Sequence, residues 1–213
     1  MTINFENFWQ NEFVEHARVM TETCNNLKPD FIKLVEACTT SVQTGGKVMF
    51  FGNGGSAADS QHLATELAVR YKTDRAAIPA IALTTDTSAL SAIGNDFGFD
   101  HLFSRQIEAL GRKGDVVIGI STSGTSPNVI KALKQAREQG IVTIGFTGAT
   151  GGDMVELCDV ILRVPSKTTA RIQEMHITLG QMLCGALEQN LGLVEGDNSS
   201  VETQVEFSLK KAS

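Results

Sequence analysis

Apolar positions recur at helical spacing twice near the start of the chain: Phe5, Phe8, Trp9 and Phe13, then Phe31, Leu34, Val35 and Cys38. They predict helices over 5–25 and 29–44, with Asn25, Asn26 and Pro29 as the break between them. After Gly45 and Gly46 the pattern changes. Short, almost continuously apolar runs follow at KVMFF (47–51), AIPAIAL (77–83), DVVIGI (115–120), IVTIGF (141–146) and DVILRV (159–164). Strands read this way when both faces of a parallel sheet are covered, and the chain between the runs suffices for crossovers. The pattern predicts an α/β three-layer sandwich: a mainly parallel five-stranded sheet, flavodoxin-like or Rossmann-like, with helices on both faces and two N-terminal helices in front. One domain is expected over 1–192, with the helical pair in 1–45. From 193 to 213 the pattern is lost, which reads as a flexible tail.

Composition adds mainly exclusions. The 213 residues are 42% hydrophobic and 20% charged, with a net charge of −6. That balance argues against a general surface for nucleic acid or anionic lipid, so no direct nucleic-acid binding is expected and an anionic ligand needs a local site. No apolar run reaches the roughly 20 residues of a membrane span. The start, MTINFENFWQNEF, is acidic and aromatic, unlike a leader with a basic head and an apolar core. The expected location is the cytoplasm. Cys24, Cys38, Cys158 and Cys184 show no CxxC pairing and read as reduced thiols.

Two loops at predicted strand ends carry the candidate chemistry, because ligands of such sheets sit beyond the C-terminal ends of the strands. In the first, Gly52, Asn53, Gly54 and Gly55 lead to Ser56, which is placed to cap a helix beginning near Ala57. Glycines admit a ligand close to the backbone, and the free N–H groups of a helix start favour an anion. The loop has neither GxGxxG spacing nor a P-loop lysine. In the second, Ser121, Thr122, Ser123, Gly124, Thr125 and Ser126 precede Pro127, which suits the first turn of a helix running through Arg137. Hydroxyls and a glycine at a helix N-terminus can cradle a phosphate monoester without a basic side chain. Behind the first loop, His62 and Glu66 stand at i and i+4, so one helix face presents both to a metal or a reacting group.

The segments GNGGSAADSQHLATEL, LTTDTSALSAIGNDFGFDHLFSRQI, GDVVIGISTSGTSPNVIKAL and ARIQEMHITLGQML resemble, in order, the signature blocks of the bacterial phosphoheptose isomerases, a family of SIS-domain proteins. The resemblance covers about residues 40–190. It implies a homotetramer with the N-terminal helices at subunit contacts, and conversion of sedoheptulose 7-phosphate to D-glycero-D-manno-heptose 7-phosphate for lipopolysaccharide or other surface glycans. It places zinc ligands on His62, Glu66 and Gln173. Substrate contacts fall on Asn53, Gly54, Gly55, Ser56, Glu66, Asn95, Asp96, Ser121, Thr122, Ser123, Ser126 and Gln173. Glu66 would also be one acid/base group, and Asp96 would orient sugar hydroxyls.

One position departs from the family pattern. Eight residues after the ligand glutamine, the family carries a histidine that completes the zinc site and acts as the second acid/base. Here Gln181 stands there. Eight residues pass two helical turns by about 80°, so Gln173 and Gln181 can flank one cleft. An amide oxygen can ligate, but an amide carries no proton at neutral pH. His176 lies between them and reads as a packing residue. The substitution leaves open an isomerase with an altered metal site, an engineered or naturally inactive variant of one, a sugar-phosphate sensor, and a non-catalytic adaptor like the replication-initiator-associating SIS proteins. Trp9 is expected buried at a helix contact, and Arg70 and Lys72 are expected to face the C-terminal end of the His62 helix.

Overall fold

A computed structural model describes residues 3–195. Of the expected tail, 196–213 lie outside the described residues, while Leu193 packs against the core. Helix α1 spans Phe5–Asn26 and starts where the Asn4 side chain accepts from the Glu6 and Asn7 N–H groups. Helix α2 spans Lys28–Gln43, with Pro29 in its first turn, where the missing N–H costs nothing.

The remaining elements alternate as the apolar runs predict. They are β1 (Val48–Gly52), α3 (Gly55–Ala68), β2 (Ala80–Ala82), α4 (Thr87–Asp96), α5 (Ser104–Leu110), β3 (Val116–Ile120), α6 (Pro127–Glu138), β4 (Val142–Thr147), β5 (Val160–Arg163) and α7 (Thr169–Asn190). Short 3-10 turns at Phe99–His101 and Gly152–Glu156 fill two connections. Strand β2 is shorter than the apolar run 77–83, because Pro79 has no N–H to give to the ladder.

All five strands are parallel, in the order β2-β1-β3-β4-β5. Alternate side chains feed two cores. Val48, Phe50, Val116, Ile118 and Ile120 pack with α2, α3 and α7 on one face, while Met49, Phe51 and Val117 pack with α5 and α6 on the other. The order reverses direction at β1 and β3, which places the two glycine-bearing loops side by side at the switch point of the sheet.

Candidate functional site

The loop after β1 begins α3 two residues earlier than the sequence suggests. Gly54 is the N-cap, with φ +55°, a backbone conformation that side-chain-bearing residues rarely adopt. Ser56 therefore lies inside the first turn and is buried, and its Oγ donates to Gln173 Oε1 at 3.4 Å rather than capping the helix. Since Gly54 has no side chain, the first N–H groups of α3 lack a side-chain cap.

The loop after β3 has the same property by another route. Its N-cap, Ser126, makes no capping bond; its hydroxyl meets Ser121 Oγ at 2.9 Å, and Ser123 Oγ stands 3.4 Å from Ser121 Oγ. Three hydroxyls thus converge at an uncapped helix start, with Thr122 beside them in the turn. Gly124, at φ +72°, fixes the shape of this turn: a Cβ there would lie 2.1 Å from the Gly151 carbonyl oxygen. Only a glycine lets the Gly151–Gly152 turn pass so close behind the loop.

A reciprocal amide pair ties the two loops together. Asn53 Nδ2 donates to Asn128 Oδ1 at 2.9 Å, and Asn128 Nδ2 donates back to Asn53 Oδ1 at 2.8 Å. Asn128 is 1% exposed and also accepts from the Val129 N–H. Sequence reasoning missed this residue, although a polar side chain directly after the first-turn Pro127 was an available signal.

Across the first loop, α3 and α7 form a polar cleft. His62 Nε2 and Glu66 Oε1 are 3.3 Å apart on one face of α3, as their spacing predicts. Gln181 closes on them from α7, its amide nitrogen 2.5 Å from His62 Nε2. Gln173, two turns earlier on α7, lies against Ser56 and gives its Nε2 to a carboxylate oxygen of Asp59. Asp59 is the second residue that sequence reasoning missed; its position three residues before His62 on α3 was the signal. Burial raises its carboxyl to about 6, while the Gln173 hydrogen bond and the His62 charge pull the other way.

The 3.3 Å separation of His62 and Glu66 is close to the tetrahedral edge of about 3.3–3.4 Å expected when zinc bonds to nitrogen and oxygen at 2.0–2.2 Å. Among the described residues no cluster of three His, Cys, Asp or Glu exists, so any further protein ligands here are the amide oxygens of Gln173 and Gln181. By residue type the set offers a divalent cation one imidazole, one carboxylate and two amide oxygens, although in this structure Gln181 turns its nitrogen, not its oxygen, to His62.

Other expectations fall differently. The Asn95 and Asp96 side chains, exposed at the end of α4, hydrogen-bond to each other at 2.7 Å rather than to the cleft. Trp9 is 66% exposed and stacks on Phe13 at 4.9 Å, because α1 carries its aromatic stripe away from the chain's own core. The cation at the C-terminal end of α3 is Arg75, not Arg70 or Lys72. Its guanidinium donates to the carbonyls of Glu66, Leu67, Val69 and Ala76 and pairs with Glu188 on α7 at 2.8 Å. His16 and His101 meet Glu174 at 2.8 Å and Lys131 at 3.0 Å. His176 is fully buried against Phe146, with Nε2 3.2 Å from the Thr147 carbonyl, in keeping with a packing role.

Comparison with known proteins gives a consistent result. A SIS-domain family model matches residues 12–148. The phosphoheptose isomerase of Paramagnetospirillum magneticum is 55% identical over 87% of this chain and 97% of its own length. That of Rhodospirillum rubrum is 57% identical over 76% and 87%. Among solved structures, the phosphoheptose isomerase of Neisseria gonorrhoeae superposes with a TM-score of 0.83 at 44% identity, over 87% of this chain and all of that one. The Francisella tularensis enzyme gives 0.85 at 34% identity, over 88% of this chain and all of that one.

Proposed function

The chain belongs to the SIS-domain family and is an isomerase of its phosphoheptose branch; from that premise we propose that it converts sedoheptulose 7-phosphate to D-glycero-D-manno-heptose 7-phosphate, for surface-glycan synthesis in the cytoplasm. The observation that carries this reading is the meeting of two uncapped helix starts, tied by the Asn53–Asn128 pair, with a carboxylate-bearing cleft alongside. The hydroxyls of Ser121, Thr122, Ser123 and Ser126 and the N–H groups at the start of α6 take the phosphate. Asn53, Gly54, Gly55 and Ser56 receive the sugar end.

The reaction moves a carbonyl from C2 to C1, so a proton must leave C1 and one must arrive at C2, while the hydroxyl proton of O1 passes to O2. Glu66 is the group at hand for the first step: its carboxylate is partly buried, 3.3 Å from His62, and accepts the proton from C1. His62, Glu66, Gln173 and Gln181 would hold zinc, which when bound supplies a positive charge for the developing enediolate oxygens. Gln181 accepts or donates hydrogen bonds but carries no proton, so the second proton transfer lacks the histidine usual in the family. We expect this chain to turn over more slowly than a version with histidine there.

A homotetramer is part of the same reading. Phe5, Phe8, Trp9 and Phe13 leave an exposed aromatic stripe on α1. Beside it, Met20, Phe31, Ile32, Met175, Leu179 and Met182 line an apolar groove of about 470 Å³ between α1, α2 and α7. Both suit contacts between copies.

The test is conversion of sedoheptulose 7-phosphate in zinc-supplemented buffer, with Glu66→Gln prepared alongside. The expected loss in kcat for the variant is about 10²–10⁴-fold. Turnover unaffected by Glu66→Gln would place the chemistry elsewhere.

A further inference from the structure

Asp59 stands on the cleft face of α3, three residues before His62 and seven before Glu66, and takes no part in the proton transfer described above. Its carboxylate accepts from Gln173 Nε2, while Gln173 Oε1 faces Ser56 Oγ at 3.4 Å and fills the side of Gly55 where a Cβ would stand. An amide side chain has a donor end and an acceptor end of nearly the same shape, so space alone does not decide which way it points. Ser56 does not decide it either, because a hydroxyl both donates and accepts. An ionised carboxylate only accepts. Of Gln173's polar neighbours, Asp59 is therefore the one that discriminates between the two orientations.

We propose that Asp59 is a positioning residue: by taking the amide N–H of Gln173, it holds Gln173 Oε1 toward the cleft as an oxygen ligand and substrate acceptor. The inference rests on the metal reading above. It matters more here than in a site with a second histidine, since two of the four donors are amides and each is useful in one orientation. Outer partners that fix a ligand's orientation are worth about 10–100-fold in metal affinity.

The experiment is a double-mutant cycle on the full-length protein, with zinc affinity measured by competition with a chromogenic chelator. Asp59→Asn keeps the shape but offers its own donor end, which frees the Gln173 amide to turn. In the native background it is expected to weaken zinc binding about 10–100-fold; in a Gln173→Ala background the same change is expected to do almost nothing. Equal losses in both backgrounds, or no loss in either, would overturn the proposal, because Asp59 would then act through charge alone or not at all. A second readout needs no metal. The side-chain N–H resonances of Gln173, assigned by their disappearance in Gln173→Ala, are expected to shift to free-amide positions in Asp59→Asn. If the native protein takes up no zinc, the metal reading fails by itself, and these resonances still decide the contact: unmoved signals overturn it. Rescue of both readouts by Asp59→Glu is the further expected result.

Discussion

At the scale of single residues, His176 shows how a titratable group reads once its surroundings are known. It is fully buried beside Phe146, and burial lowers its pKa from the ordinary 6.5 to about 4, partly countered by the Thr147 carbonyl. The unfolded chain therefore binds a proton below about pH 6.5 while the folded one stays neutral. Stability from this residue is full above pH 6.5 and is lost as the pH falls toward 4, in total on the order of 3 kcal/mol. Asp59, whose carboxyl is raised to about 6, works in the opposite sense over the same range, so the comparison must be with a His176 variant. Denaturant unfolding at several pH values between 7.5 and 4.5 is expected to show a shallower acid loss for His176→Gln than for the native chain. Parallel curves would mean that His176 does not titrate differently on folding. The bland sequence reading of this histidine matched its burial. Asp59 and Asn128 had local signals in their places before His62 and after Pro127, but the partners that make them matter lie 114 and 75 residues away.

Among the elements, α3 carries the site and is held at both ends. Its start is open because Gly54 replaces a capping side chain, which a capping rule applied to Ser56 misplaces. Its end is closed by Arg75 and Glu188, whose side chains are 1% and 3% exposed. The pair links the end of α3 to α7, the same helix that brings Gln173 and Gln181 to the cleft. Removing one partner of a buried pair strands the other charge, so Glu188→Ala is expected to cost about 3–5 kcal/mol of stability, readable as a lower denaturant midpoint. An unchanged midpoint would show that the clamp is not needed. The loop after β3 depends on a close crossing instead. Gly124→Ala would drive a methyl into the Gly151 carbonyl, and raised KM for sugar phosphate, more than lowered kcat, is the expected result. Strand and helix order was readable from apolar runs, whereas Gly151 and Gly152 carry no sign of the contact that makes them necessary.

For the whole molecule, the sheet order explains why two loops about 70 residues apart in sequence stand side by side, as one ligand site requires: they leave adjacent strands, β1 and β3, at the point where the winding reverses. Parallel topology was legible because the three central strands, β1, β3 and β4, are buried on both faces. The proposed assembly came only from the family resemblance, since an aromatic stripe on a first helix reads equally as core. Sedimentation is expected to find a tetramer for the native chain and smaller species when Phe8 and Trp9 are changed to Glu; a native monomer would remove the assembly from the account. The central claim is that this cleft isomerises sedoheptulose 7-phosphate with Glu66 as its proton carrier and Gln181 as its weak point. The most direct measurement is kcat for that substrate with zinc, for the native chain beside Gln181→His. The account predicts slow but Glu66-dependent turnover in the native chain and an increase of roughly 10²–10⁴-fold on restoring the imidazole. Equal rates in the two proteins, or none in either while both are folded and zinc-loaded, would contradict it.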